Sequence, residues 1–349
     1  MNLHEKYIKR CIELAKNGLG NTYPNPLVGS VIVYNNTVIG EGWHKKAGEP
    51  HAEVNAINAV KDEELLKDAT IYVSLEPCSH SGKTPPCANL IVEKGIKNVV
   101  IGIVDSNSKV SGAGVAYLKN NGCKVIVGVL ETECYELNKR FFTFHDKKRP
   151  FIILKWAETK DGFIDKLRTE TDENSPNWIS NKYSQQYVHK MRAEENAILV
   201  GTNTALNDNP TLNVRSWRGE NPIRIVLDRA AKIPSDYNLL DGSVKTIVFT
   251  EIKHITDSYE NVIFERINFS ENVPQQICEM LYKYEIQSVI IEGGAKTLKS
   301  FIDLGLWDEA FVFVGAILFK DGLKAPSLKK VSFEIQKISN DTLTIYKNY

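Results

Sequence analysis

The sequence predicts two α/β domains in tandem, and three observations carry that expectation. The 349 residues exceed what one hydrophobic core usually serves, because cores stop growing beyond roughly 250–300 residues. Helical and strand-like patterns alternate along almost the whole chain, the mark of an α/β fold. A polar, basic stretch from His145 to Pro150 separates two such series that share no internal repeat. The expected domains are therefore 1–147 and 148–349.

In the first series, Tyr7, Ile8, Cys11, Ile12, Leu14 and Ala15 recur at helical spacing and predict a packed amphipathic helix over 3–16. Val28–Tyr34 and Thr37–Gly42 are β-branched runs joined by Asn35-Asn36, a hairpin signal because Asn tolerates the left-handed backbone of tight turns. A helix over 51–60, a strand over 69–75 and a helix over 87–94 stopped by Gly95 follow. The run 98–104 is continuously apolar and reads as a strand buried on both faces. A helix over 114–120, a strand over 124–129 and one helix over 131–149 complete an α/β sandwich with a mixed sheet.

The second series opens with strand 151–157 and helix 181–192. Strands over 197–201, 223–227 and 246–250 come next, followed by helix 273–284, strand 288–291 and helix 295–304. Apolar 310–314 and a C-terminal pair, 332–338 and 342–347, turned by Asn340-Asp341, close the chain.

Composition narrows the function. Apolar residues make up 42% and charged residues 25%, ordinary values for a folded protein. Lys plus Arg and Asp plus Glu are both 43, so the chain is not built to bind nucleic acid by bulk charge. The longest apolar run, Ala310–Phe319, is far shorter than the ~18 residues a membrane span requires. The charged start, with His4, Glu5, Lys6, Lys9 and Arg10, lacks the apolar segment of a secretory signal. These features predict a soluble cytoplasmic protein. Six cysteines are too few for a disulfide scaffold; Cys11, Cys123, Cys134 and Cys278 read as small buried hydrophobes.

Cys78 and Cys87 belong to a different pattern. His51-Ala52-Glu53 opens one helix, Pro77-Cys78 ends a strand, and Cys87 follows Pro85-Pro86 at the start of another helix. One imidazole and two thiolates form a zinc ligand set that leaves a fourth position open, the catalytic arrangement. All three ligands are expected at helix N-termini, where exposed N–H groups stabilise negative charge. Zinc brings the pKa of its water to about 7. Glu53, two residues beyond the ligand His51, has the reach to move that water's proton to a leaving amine without itself ligating. The alternative is a closed structural zinc site, for which no obvious fourth ligand is placed: His80 could serve, yet it is nearer a substrate-facing position. The pattern is that of the zinc deaminases, His-x-Glu followed by Pro-Cys-x-x-Cys, except that eight residues separate Cys78 from Cys87.

With that insert, residues 22–33 (TYPNPLVGSVIV), 51–57 (HAEVNAI) and 74–87 (SLEPCSHSGKTPPC) resemble the bifunctional deaminase/reductase of riboflavin biosynthesis, as does 105–114. The resemblance implies a cytidine-deaminase-like three-layer α/β/α domain followed by a dihydrofolate-reductase-like α/β domain. It implies zinc-dependent deamination of 2,5-diamino-6-(5-phosphoribosylamino)pyrimidin-4-one, with His51, Cys78 and Cys87 on zinc and Glu53 as proton shuttle. Asn25, His44, Ala52, His80 and Lys83 match the family's deaminase substrate positions. The second domain is then implied to reduce the ribosyl group to ribityl with NADPH. Lys155, Ser175, Arg192, Leu212, Arg215 and Glu292 match its substrate positions, although Pro176 fits the serine's place better by spacing. Ala157, Trp178, Gly201, Thr204, Asp208, Gly293 and Gly294 match its cofactor positions.

The reductase half departs from the family in places. Glu158-Thr159-Lys160-Asp161-Gly162 stands where Ser-Leu-Asp-Gly is usual, and Asn174-Ser175-Pro176-Asn177 replaces Gly-Glu-Ser-x before Trp178. No dinucleotide fingerprint is present: Gly112-Ala113-Gly114 lacks the third glycine. Three other readings follow from the residues: a nucleic-acid-editing deaminase, a deaminase with a non-catalytic second domain, and an interaction protein with structural zinc. Homo-oligomerisation is a further family expectation.

Overall fold

The protein is described from a computed structural model, which covers residues 2–79, 85–105, 112–168, 176–253, 260–328 and 332–348. The chain divides into two compact units, 1–148 and 149–349.

The first unit runs α1 (Leu3–Ala15), β1 (Gly29–Tyr34), β2 (Thr37–Trp43), α2 (Ala52–Asn58), β3 (Thr70–Leu75), α3 (Cys87–Glu93), β4 (Asn98–Ile103), α4 (Ala113–Asn120), β5 (Lys124–Val127), α5 (Glu131–Leu137) and α6 (Lys139–Lys147). Asn2 and Glu5 start α1 as a reciprocal capping box. Asn35 and Asn36 take the left-handed backbone that the hairpin between β1 and β2 requires, with φ of 46° and 61°. The sheet order is β2-β1-β3-β4-β5, with β1 antiparallel to both neighbours and β3, β4 and β5 parallel.

Alternation along the strands splits the core into two layers. Val31, Val33, Tyr72 and Val100 pack against Ile8, Cys11 and Ile12 of α1 together with Cys134 and Phe142. Ile32, Ile71, Val73, Val99 and Ile101 face the opposite way, onto Ala56 and Ile57 of α2, Ile91 of α3 and Leu118 of α4. A sheet covered by helices on both faces is the three-layer arrangement the sequence implied.

The single helix expected over 131–149 is two. Asn138 is buried, its side-chain amide donates to the Leu27 carbonyl at 2.9 Å, and its side-chain oxygen accepts from the Leu27 N–H at 2.8 Å. That long-range pairing holds Asn138 at φ −108°, outside helical geometry, and ends α5.

The second unit runs β6 (Phe151–Glu158), β7 (Phe163–Asp165), α7 (Lys182–Glu194), β8 (Ala197–Gly201), α8 (Thr202–Asp208), β9 (Ile223–Leu227), β10 (Thr246–Thr250), β11 (Val262–Arg266), α9 (Val273–Lys283), β12 (Ser288–Glu292), α10 (Ala295–Asp303), β13 (Glu309–Val314), β14 (Leu323–Lys324), β15 (Ser332–Ile338) and β16 (Asp341–Lys347). Nine strands form one sheet in the order β11-β10-β9-β8-β12-β6-β13-β16-β15. It is parallel from β11 to β13, and β16 and β15 add antiparallel.

Four of these elements escape the sequence reading. β7 and β14 span three and two residues, too short for any periodicity. α8 begins directly at the end of β8 on a polar Thr-Asn-Thr run. β11 is half-buried without alternation. The C-terminal turn also shifts by one residue, to Ser339-Asn340 with Ser339 at φ 58°. Asp341 joins β16 because its buried carboxylate accepts from the Asn181 N–H at 2.8 Å and the Ser184 hydroxyl at 2.6 Å. Cys11, Cys123, Cys134 and Cys278 are buried and unbridged, as expected. No helix among the described residues is long and apolar enough to cross a membrane.

Candidate active sites

In the first unit, His51 is the residue capping α2 and Cys87 is the first residue of α3. Cys78 corrects the expectation of three helix N-termini: it lies in the irregular stretch after β3, and the first N–H of α3, from Cys87, points at its sulfur at 3.4 Å. The Cys78 carbonyl accepts from the Ala88 N–H at 3.1 Å, which fixes the turn to α3 from its other end.

The ligand atoms of His51, Cys78 and Cys87 lie within 4.8 Å of one another. The His51 Nδ1 stands 3.6 Å from Cys78 Sγ and 3.3 Å from Cys87 Sγ. Tetrahedral zinc with ordinary Zn–S and Zn–N bonds separates S from N by about 3.5 Å. The donor set and its spacing therefore fit zinc, with three ligands among the described residues.

Glu53 is buried in the first turn of α2. Burial, reinforced by the Cys78 charge, pushes its carboxyl up to about 7. The Cys78 thiol is pulled down, first by the hydrogen bond from Cys87 and then by His51, against the cost of burial. Cys87 is held up by sharing its proton with Cys78 and by burial, while the bond to Cys78 raises His51.

His44 is buried beside this centre, its ring edge-on to that of His51 with centroids 5.3 Å apart. Its Nε2 pairs with the Asn25 amide at 3.1 Å and its Nδ1 with the Pro50 carbonyl at 3.2 Å. The carbonyl only accepts, so Nδ1 carries the proton and Nε2 accepts from Asn25 in the neutral ring. Burial lowers the His44 pKa, in keeping with that form. Ala52 is fully buried between His51 and Glu53. His80 and Lys83 lie outside the described residues.

In the second unit a cavity of about 900 Å³ opens at the C-terminal ends of β6, β8, β9 and β12. Parallel sheets commonly bind ligands at that end. It is lined by Lys155, Ala157, Trp178, Arg192, Gly201, Thr204, Asp208, Leu212, Arg215, Glu292, Gly293 and Gly294, all expected from the sequence. Ser175 lies outside the described residues.

Glu292 and Lys155 face each other across β12 and β6, with Oε1 and Nζ 2.6 Å apart. Arg192 reaches the other carboxylate oxygen at 2.9 Å and donates to the Asn213 carbonyl at 3.3 Å. Burial works against the Glu292 charge, but Arg192 and Lys155 outweigh it and hold the carboxyl down at about 2. The Arg192 Nε is buried with no hydrogen-bond partner among the described residues. Arg215 bonds Thr211 and Asn213, both neutral, and has no carboxylate partner among the described residues. Burial and the neighbouring Arg192 lower its pKa.

Gly293 and Gly294 connect β12 to α10 with φ of 87° and 70°, a backbone that favours glycine. A Cβ at Gly293 would come within 3.2 Å of Thr204, so the turn is a cradle that a side chain would fill. Main-chain N–H groups at such a turn suit a phosphate, and the cavity, the cradle and the cations together fit a nucleotide.

The sequence reading missed Arg168, which lines the same cavity and pairs with Asp165 at 2.9 Å and Asp208 at 2.8 Å. Its place in a polar stretch carries no periodic or motif signal. Lys296 and Thr297, directly after the Gly-Gly turn, were within reach of that motif and also line the cavity.

Comparison with known proteins places both halves. Residues 1–103 match the family model of the cytidine and deoxycytidylate deaminase zinc-binding region, and residues 150–340 match the RibD C-terminal domain. The riboflavin biosynthesis protein RibD of Aquifex aeolicus (strain VF5) is 39% identical, over 99% of this chain and 99% of that protein. RibD of Escherichia coli (strain K12) is 32% identical, over 94% and 93%. Among solved structures, a diaminohydroxyphosphoribosylaminopyrimidine deaminase/5-amino-6-(5-phosphoribosylamino)uracil reductase from Thermotoga maritima superposes with a TM-score of 0.88 at 39% identity, covering 99% of this chain and 98% of that one. Acinetobacter baumannii RibD gives 0.86 at 32% identity, covering 99% and 98%. Matched along almost its entire length by relatives more than 30% identical, the chain belongs to the family of the riboflavin biosynthesis protein RibD.

Proposed function

We propose that this chain catalyses two consecutive steps of riboflavin biosynthesis. The first is hydrolytic deamination of 2,5-diamino-6-(5-phosphoribosylamino)pyrimidin-4-one, and the second is NADPH-dependent reduction of the ribosyl group of its product. We assign the first step to residues 1–148 and the second to 149–349. The observation that carries the reading is the cluster of His51, Cys78 and Cys87, three ligands among the described residues, with a buried acid, Glu53, beside it.

In the deaminase unit His51, Cys78 and Cys87 hold zinc, which when bound polarises water and lowers its pKa to about 7. Glu53 takes a proton from the attacking water and delivers it to the departing nitrogen, so that a C–O bond forms at C2, the C–N bond breaks and ammonia leaves. A buried carboxyl in the first turn of α2, two residues from a metal ligand, is placed both to accept and to return that proton. His44, bonded to the Asn25 amide nitrogen, holds that side chain so that its oxygen faces the pyrimidine edge, and its own ring packs beside the substrate. His80 and Lys83 keep the substrate-binding roles that the family resemblance implies.

In the reductase unit Gly293 and Gly294, with Ala157, Trp178, Gly201, Thr204 and Asp208, would hold NADPH, the turn's main-chain N–H groups suiting a phosphate. NADPH supplies a hydride to C1 of the sugar. The opening ring oxygen takes a proton, which we assign to Lys155. Arg192 and Arg215 receive the substrate phosphate: among the described residues one has an unpartnered buried Nε and the other neutral partners only. Leu212, at φ 47°, shapes the loop between them, and Ser175 keeps its substrate role by resemblance. A cytoplasmic site of action and self-association belong to the same proposal. Six free cysteines suit a reducing compartment, and the exposed Phe333 and Ile335 of the edge strand β15 suit a second copy.

Chelation tests the division of labour. Stripping zinc is expected to lower ammonia release by at least about 100-fold. Reduction of the already deaminated ribotide should stay within about twofold of its starting rate. If reduction falls equally, or deamination survives, the two-site assignment is wrong.

A further inference from the structure

Glu76 is a buried carboxylate that neither proposed reaction uses. It lies between the end of β3 and Cys78, and no cation pairs with it among the described residues. Among the described residues its acceptors are taken by main chain alone. Oε2 accepts from the N–H of Asp105 at 3.2 Å and of Gly112 at 3.0 Å, and Oε1 accepts from the N–H of Val115 at 3.1 Å. Its own N–H donates to the Ile103 carbonyl at 2.9 Å. One residue thus ties the end of β4 and the start of α4 to the turn that carries a metal ligand.

A second observation is independent of the carboxylate. A Cβ on Gly114 would lie 2.1 Å from the Pro77 carbonyl oxygen, so the start of α4 rests directly on the peptide before Cys78. The Cys78 turn is held on one side by α3, through the Cys87 and Ala88 N–H groups, and on the other by this clasp.

We propose that Glu76 is a positioning residue for the deaminase metal centre: by fastening β4 and α4 to the Glu76-Pro77-Cys78 turn, it sets the Cys78 sulfur for coordination. The proposal rests on the zinc-deaminase reading. Outer partners of metal ligands typically change metal affinity or activity about 10–100-fold when removed. Gln has nearly the shape of Glu, but its NH₂ group cannot accept, so Glu76→Gln loses the bonds on one side of the clasp.

The test follows transfer of zinc from full-length, zinc-loaded protein to 4-(2-pyridylazo)resorcinol. Glu76→Gln should release zinc about 10–100-fold faster than the wild type. Its deaminase kcat should fall at trace zinc and recover with excess zinc, with KM unchanged within about twofold. Zinc release at the wild-type rate overturns the proposal, whatever happens to thermal stability. So does a raised KM with zinc retained, which would make Glu76 a substrate-binding group.

A reciprocal measurement uses the wild type alone and does not depend on the variant folding. Coupling between two sites acts in both directions. Removing zinc should therefore speed amide hydrogen exchange at Asp105, Gly112 and Val115. Unchanged exchange there overturns the proposal. A wild-type protein that holds no zinc would instead defeat the underlying site reading, which keeps the two failures apart.

Discussion

Glu53→Gln is expected to lower ammonia release by about 10²–10⁴-fold, the range that a positioned general acid–base contributes. Zinc content and the reductase rate should both stay near wild type. The reason is local. Glu53 is buried in the first turn of α2, two residues past the ligand His51, and burial together with the Cys78 charge raises its carboxyl to about 7. Gln keeps the shape and fills the same space but carries no exchangeable carboxyl proton. Metal analysis on the same preparation separates the outcomes: ammonia release within threefold of wild type removes Glu53 from the mechanism. Loss of zinc together with activity would make it a structural support of the ligands.

Glu292→Gln is the second large effect, and it reaches stability as well as rate. The wild-type carboxylate sits between Lys155 at 2.6 Å and Arg192 at 2.9 Å, all three largely buried. Removing its charge leaves two buried cations without a counter-ion, which costs about 3–5 kcal/mol in comparable cases. Hydride transfer should fall at least about 100-fold, because the group that orients Lys155 and Arg192 also lines the cavity. Deamination should be preserved.

The sign of the pH dependence follows from the depressed carboxyl. With Glu292 near 2 in the folded protein and 4.5 as its ordinary value, its stabilisation is complete above pH 4.5 and is lost as pH falls towards 2. The Tm difference between wild type and Glu292→Gln should therefore be greatest near neutrality and shrink between pH 4.5 and 2. A difference that grows in acid would show that Glu292 is not held as a paired carboxylate.

The deaminase centre was the more legible half because its chemistry demands particular side chains close in sequence. His51 and Glu53 share one helix start, and Cys78 and Cys87 flank one insert, so four residues name the site without knowledge of the fold. The reductase cavity has no such signature. Its residues come from the ends of separate parallel strands, brought together by a nine-stranded order that no local pattern specifies. Family resemblance supplied them, and Arg168, in a stretch without periodicity, was beyond both routes.

Two of the fold misreadings share a physical origin. Asn138 and Asp341, both buried, take their conformations from partners 111 and 160 residues distant in sequence, Leu27 and Asn181. Local propensity indicates a continuous helix at the first and a turn at the second, and tertiary hydrogen bonding overrides both. Glu76 belongs to the same class: the sequence shows it only as the residue before Pro77, while its three main-chain partners lie 29 to 39 residues further on.

The central claim is that one chain performs both reactions in order, and one reaction mixture tests it. Zinc-loaded protein is given the diaminopyrimidinone ribotide and NADPH, and ammonia release and NADPH absorbance are followed together. The account predicts that ammonia appears first and NADPH consumption follows, approaching one NADPH per ammonia. Ammonia without NADPH consumption would contradict the reductase assignment, and NADPH consumption without ammonia would contradict the order of the two steps.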